Sequence, residues 1–154
     1  MWRGDCSIRS KRLSCGNAMT PETALAPTVG NALILICFLQ IKHMFADYFL
    51  QTPKMLSGRG EYLHMGRAQH AGVHVLGSAL VFLLFGASPV FIAILALAEW
   101  VVHFNIDWGK ARYSEVRGLD PTEAGYWRAN GLDQALHHLT YLAMAWLWVE
   151  YGAR

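Results

Sequence analysis

The stretch Val29-Gly-Asn-Ala-Leu-Ile-Leu-Ile-Cys-Phe-Leu-Gln-Ile-Lys-His-Met-Phe-Ala-Asp-Tyr-Phe-Leu-Gln51 decides how this chain is read. Its first half, through Leu39, is almost wholly apolar. Its second half is interrupted by Lys42, His43 and Asp47. A helix of about 17–25 residues crosses a bilayer, and this stretch has that length only with its polar residues included. His43 and Asp47 are four residues apart, so they share one helix face. Ionisable groups at membrane depth are costly, and they usually face a functional interior. Thr52-Pro53 ends the stretch, because the residue before proline is pushed out of helical geometry.

Three further stretches repeat the pattern. The second span covers residues 68–86 and opens with His70 and His74. The third covers 89–106 and carries Glu99 and His103, with Asp107 one turn later. The fourth covers 133–151 and opens with Asp133 and His137. Ser88-Pro89 supplies an N-cap and a first-turn proline for the third span. Segments such as Leu33–Leu39, Ala79–Phe85, Val90–Ala98 and Leu142–Val149 are too uniformly apolar for a soluble bundle with a solvated face. The expected fold is therefore all-α: an integral membrane bundle of four transmembrane helices over residues 29–154.

Composition agrees. The 154 residues are 54% hydrophobic and 16% charged, against roughly 25% charged in an ordinary soluble domain. A net charge of +2 without a long basic run argues against nucleic-acid binding. Cys6, Cys15 and Cys37 have no zinc-type spacing and suggest no disulfide scaffold. Residues 1–28 are expected to form a disordered tail, and Met19 is an alternative start. The basic part of that tail lacks the apolar core of a signal peptide.

Alternation of the spans puts the connections 52–67 and 107–132 on one side and the 86–89 turn on the other. The connections carry Lys54, Arg59, Arg67, Lys110, Arg112, Arg117 and Arg128. The positive-inside rule assigns them to the cytoplasm. Residues 121–129 suggest a short surface helix with Tyr126 and Trp127 near the headgroups. All four polar pairs then fall in the cytoplasmic half of the membrane.

Imidazole and carboxylate together suit zinc or manganese. His43, Asp47, His70, His74, His103, Asp107, Asp133 and His137 are the candidate ligands. They are enough for one or two divalent ions, with some acting as support. A metal with an open position acidifies water and drives hydrolysis. Glu99 is the candidate general base. Gln51, Lys54, Lys110 and Gln134 are candidate polar support or anion contacts at the same level, suited to a lipid or phosphate-containing substrate. His138 is expected to face away from His137.

The strings His43-Met-Phe-Ala-Asp47-Tyr-Phe-Leu-Gln51 with Lys54, His103-Phe-Asn-Ile-Asp107-Trp-Gly-Lys110 and Asp133-Gln134-Ala-Leu-His137, with His70 and His74 between them, resemble a family. It is a bacterial and phage family of small integral membrane proteins, domain of unknown function 3307. The resemblance runs from about residue 31 to 150. It implies a multi-pass protein of the bacterial inner membrane and brings no activity. A more distant likeness, in the placement of His and Asp, is to predicted membrane-bound metal-dependent hydrolases, although the chain has no hydrolase nucleophile motif.

Hydrolysis of a membrane-associated substrate is thus the expected function. Metal or proton transport is the main alternative and would need polar residues continuing to the opposite face. Bis-histidine haem binding leaves Asp47, Asp107 and Asp133 unexplained. A structural or interaction protein locked by polar pairs is the third alternative.

Overall fold

The computed structural model describes residues 28–58 and 60–152. Apart from Thr28, the expected tail lies outside them. The described residues are all-α, as expected. Helix α1 spans Val29–Tyr48, α2 Pro53–Leu56, α3 Met65–Leu84, α4 Pro89–Arg117 and α5 Ala124–Leu147, and a π turn, Trp148–Gly152, extends α5. The four long helices form a ring in which α1 and α4 each pack against α3 and α5. Short connections make chain neighbours antiparallel.

Local chemistry accounts for the ends. Thr28 caps α1 by accepting a hydrogen bond from the Asn31 amide, and Ser88 caps α4 by accepting from Phe91. Pro53 and Pro89 occupy first-turn positions that need no N–H donor. Thr52-Pro53 therefore does more than stop α1. Thr52 Oγ1 accepts from the Met55 amide and starts the short α2.

One boundary differs from the sequence reading. The segment 107–132, expected as a long connection with a short surface helix, is mostly helix. α4 runs on through Asp107 to Arg117, and the expected surface helix is the first turns of α5. The end of the apolar run is the edge of a span, but it is not a helix stop. No residue from Asp107 to Arg117 breaks a helix outright, and Gly109 is tolerated. The stop comes at Gly118, whose φ of 59° is the left-handed conformation glycine adopts at helix C-termini. At 1.5 Å per residue α4 is about 44 Å long, more than the ~30 Å hydrocarbon layer.

Among the described residues, two helices, α1 and α4, are long and apolar enough to cross a membrane. In α3 and α5 the polar residues, among them Arg67, His70, His74, Asp133 and His137, dilute the apolar runs. The bundle interior has two parts. At the end near the 85–88 turn, Leu35, Leu39, Val81, Phe82, Phe85, Leu95, Met144 and Trp148 form a dry core. At the other end the buried side chains are polar or charged.

Candidate metal centre

Each long helix delivers its polar pair to that second end, because an i, i+4 step keeps both members on the inward stripe. His43, His70, His74, His103, Asp133 and His137 are buried, and Asp47 and Asp107 are partly buried. Asp47 sits at the middle of the first group. Its carboxylate is 3.0 Å from His74 Nε2 and 3.3 Å from both His70 Nε2 and His43 Nε2. Asp107 organises the second group, 3.5 Å from His103 Nε2, 3.5 Å from His70 Nε2 and 3.7 Å from His137 Nε2. The rings crowd one another, with His74 and His103 centroids 3.9 Å apart and His103 and His137 centroids 4.3 Å apart.

Two sets of donor atoms lie within 4.8 Å of one another: Asp47, His70, His74 and His103, and then His103, Asp107 and His137. Zinc bonds of 2.0–2.1 Å in a tetrahedron put neighbouring ligand atoms about 3.4 Å apart. The separations of 3.0–3.7 Å match that spacing. His103 belongs to both sets. Either set has the donors to hold one ion, whereas holding two at once would need both ring nitrogens of His103.

Hydrogen bonding in the cluster is incomplete. Both nitrogens of His103, Nδ1 of His70 and Nε2 of His137 are buried without a hydrogen-bond partner. Such groups normally find a partner in protein, ordered water or a bound ion, and here they converge at one place. His137 is poised for it, because its Nδ1–H donates to the Asp133 carbonyl at 2.9 Å and leaves Nε2 as the bare nitrogen.

Proton counting sharpens the point. The Tyr141 hydroxyl lies 3.1 Å from His43 Nδ1 and 3.3 Å from His74 Nδ1. It has one proton, so it can donate to only one of them. The other imidazole, if neutral and donating to Tyr141, turns a bare Nε2 toward Asp47. Only a cation between nitrogen and carboxylate, a proton or a metal, relieves that contact.

Six of the eight expected ligands thus fall in the two donor sets. The other two border them. His43 contacts Asp47 and Gln134, and its Nε2 lies 3.2 Å from Gln134 Oε1. Asp133 lines the adjoining cavity and holds His137 through its backbone. Gln134 also donates to Asp47 at 3.3 Å, and Gln51 Nε2 lies 3.3 Å from His70 Nε2. Both amides therefore support the cluster. His138 is exposed, as expected.

Glu99 lies elsewhere. It is buried one turn deeper than His103, where Oε1 accepts from the Lys42 ammonium at 2.6 Å and from Ser78 at 2.9 Å. Lys42 also donates to Tyr141 Oη and to the His74 carbonyl, both at 3.0 Å. Glu99 therefore anchors a buried ion pair and belongs to neither donor set. Lys42, Ser78 and Tyr141 were not singled out in the sequence, although a lone lysine and a lone glutamate in two apolar spans are natural partners. Gly77 gives Lys42 its path, since a Cβ there would come within 3.2 Å of Lys42 Cδ.

A polar cavity of about 340 Å³ opens beside the cluster, lined by Asp47, Gln51, His70, Asp107, Asp133 and Gln134 on its inner side and by Arg67, Lys110, Tyr126 and Asn130 farther out. Lys110 lines it as expected. Lys54 is exposed and does not line it. Arg67, read in the sequence as a loop charge, is buried, and its guanidinium donates to the Glu61 and Tyr62 carbonyls at 2.8 and 3.0 Å.

A family described as "Protein of unknown function (DUF3307)" matches residues 34–153. No curated protein and no solved structure matches the chain. The match covers most of the sequence, and the chain belongs to that family.

Proposed function

We propose that this member of the DUF3307 family is a four-span protein of the bacterial inner membrane. In this reading it holds one or two divalent metals, zinc or manganese, and hydrolyses a lipid or other membrane-associated phosphate ester. The membrane reading is supported by an inverted distribution of polarity. Glu99 and five histidines are buried and Lys42 is partly buried, while Leu33, Leu76, Leu80, Leu83, Leu97, Leu139 and Trp146 are more than half exposed. A soluble monomer rarely exposes apolar surface on that scale. The outer faces of α3 and α5 share in it, which supports reading these two helices as spans beside α1 and α4.

The observation that carries the metal reading is the set of unpartnered imidazole nitrogens packed against Asp47 and Asp107. The metal would lie between those carboxylates and His70, His74, His103 and His137. It would supply Lewis acidity and an activated nucleophile for hydrolysis. The chain's own residues do the rest. Asp133 and Gln134 orient His137 and His43, Lys110 draws an anionic group into the cavity, and the Lys42–Glu99 pair holds Tyr141 and the backbone of His74. The long-loop side, where the cavity opens, would face the cytoplasm under the positive-inside rule.

Transport needs a polar route onward from the site. The apolar core around Leu35, Phe82, Leu95 and Trp148 favours a pocket with one mouth instead. Elemental analysis of detergent-purified protein tests the metal reading. Wild type should carry close to one or two zinc or manganese ions per chain, and His74→Ala and Asp107→Ala should lose them. Metal-free wild type after supplementation with both ions would reject it. Release of phosphate from short-chain phospholipids, abolished by the same substitutions, tests the hydrolase.

A further inference from the structure

The polar cavity has a neighbour on the α4–α5 side. An apolar groove of about 790 Å³ runs between these helices, from Val101, Val102 and Leu136 to Tyr113 and Arg128. Lys110 and Asp133 line both the groove and the polar cavity. The groove is open because small residues border it. A Cβ added to Gly109 would meet nothing within 4 Å, and Gly125 and Ala129 face it from α5. Its size falls within the ~300–1,000 Å³ of ordinary ligand pockets.

Polarity grades along its length. The end toward mid-membrane is walled by valine, isoleucine and leucine together with Asn105, whose amide donates to the Val101 carbonyl and accepts from the Tyr62 hydroxyl. The end toward the cytoplasmic edge carries Lys110, Arg128 and Tyr113. A molecule that complements both ends has a hydrocarbon tail and an anionic head. We propose that the α4–α5 groove seats one acyl chain of an anionic glycerophospholipid, with its phosphate beside Lys110 at the junction with the polar cavity. The lipid enters sideways from the bilayer, and the junction delivers its head to Asp133 and the His/Asp cluster. This inference rests on the membrane reading above and does not depend on the metal.

The test uses the full chain in phosphatidylcholine nanodiscs containing a minor fraction of phosphatidylglycerol with a photoactivatable acyl chain. Phosphatidylcholine bearing the same chain serves as the comparison. Phosphatidylglycerol should label Val102, Ile106 and Leu136 in preference to the outer face of α3. Gly109→Leu fills the groove and should reduce that labelling about tenfold, the loss expected from excluding about two methylenes. Gly72→Leu, at an open glycine on α3 outside the groove, should leave it unchanged. Arg128→Gln should erase the preference for phosphatidylglycerol over phosphatidylcholine.

Equal labelling by the two lipids, or labelling indifferent to Gly109→Leu, overturns the proposal. Metal content measured on the same samples separates the two claims. Metal-free protein with groove labelling that Gly109→Leu abolishes supports the lipid site and rejects the metal. Protein that alkaline carbonate strips from membranes overturns both the groove and the membrane reading.

Discussion

Along α1 the buried side chains change from Leu35 and Leu39 to His43 within one turn, and every other long helix makes the same change within about two turns. On α3 it falls between Phe82 and His74, on α4 between Leu95 and His103, and on α5 between Met144 and His137. The dry half is held by shape. Phe85 meets Trp148 edge-on at 5.6 Å, and Phe82 meets Phe91 in the same way at 6.1 Å. The wet half cannot be explained by packing. Burying a charge costs several kcal/mol even when it is paired, and well-packed apolar residues of similar volume usually do as well or better. On the reading proposed above, a half of the molecule that gives up stability in this way is retained for what it binds.

The largest effect expected from breaking this division is at Glu99. Glu99→Ala strands the Lys42 ammonium below the histidines, and loss of one partner of a buried pair costs about 3–5 kcal/mol. Joint replacement of Lys42 and Glu99 by methionine should recover most of that loss, because it extends the dry half by one turn. Thermal unfolding in detergent checks both. If Glu99→Ala proves as stable as wild type, the ion pair contributes nothing and the boundary has been misread.

Next comes Trp148→Ala, which cuts a void into the dry half for about 3 kcal/mol. Metal bound per folded chain should not change, since Trp148 belongs to the dry core and to neither donor set. His74→Ala should do the reverse. It removes a donor from the first set, so metal affinity should fall by more than the ~10–100-fold typical of residues that only support a ligand. Stability of the metal-free chain should fall by about 1 kcal/mol, the net worth of an ordinary hydrogen bond, because His74 meets Tyr141 and Asp47 through its two ring nitrogens. A metal-free His74→Ala chain as destabilised as Trp148→Ala would make the wet half a structural lock instead.

Much of this division is legible in the sequence alone. Four apolar runs with an ionisable pair at a common end required only helical periodicity and alternating direction, and His43 through His137 were found that way. Helix ends were harder. Apolar composition marks where a membrane span stops, whereas a helix continues until its backbone is broken, so Asp107–Arg117 looked like a loop until Gly118 was seen to be the cap. Partner choice was harder still. Nothing local distinguishes Glu99 as a base from Glu99 as the counter-ion of Lys42, 57 residues away. Arg67 reads as a loop charge because nothing in the local sequence marks the Glu61 and Tyr62 carbonyls to which it donates, since every residue has one.

Tyr141 stands on the border and gives the finest test. Its ring belongs to the dry core, while its hydroxyl receives Lys42 and reaches His43 and His74. Tyr141→Phe keeps the ring and removes only the polar tip. If the two halves are independent, stability should fall by about 1 kcal/mol, the net worth of an ordinary hydrogen bond. Metal affinity should fall about tenfold, because His43 and His74 lose the group that fixes their tautomers. The ratio of the two effects carries the information, since an oxygen that merely packed would change stability without moving affinity. Titrating zinc into metal-stripped wild-type and Tyr141→Phe protein measures one quantity, and thermal unfolding of the metal-free chains measures the other. Equal zinc affinity in the two proteins would mean that the imidazoles are oriented from the Asp47 side alone, which moves control of the site from the border to the cavity.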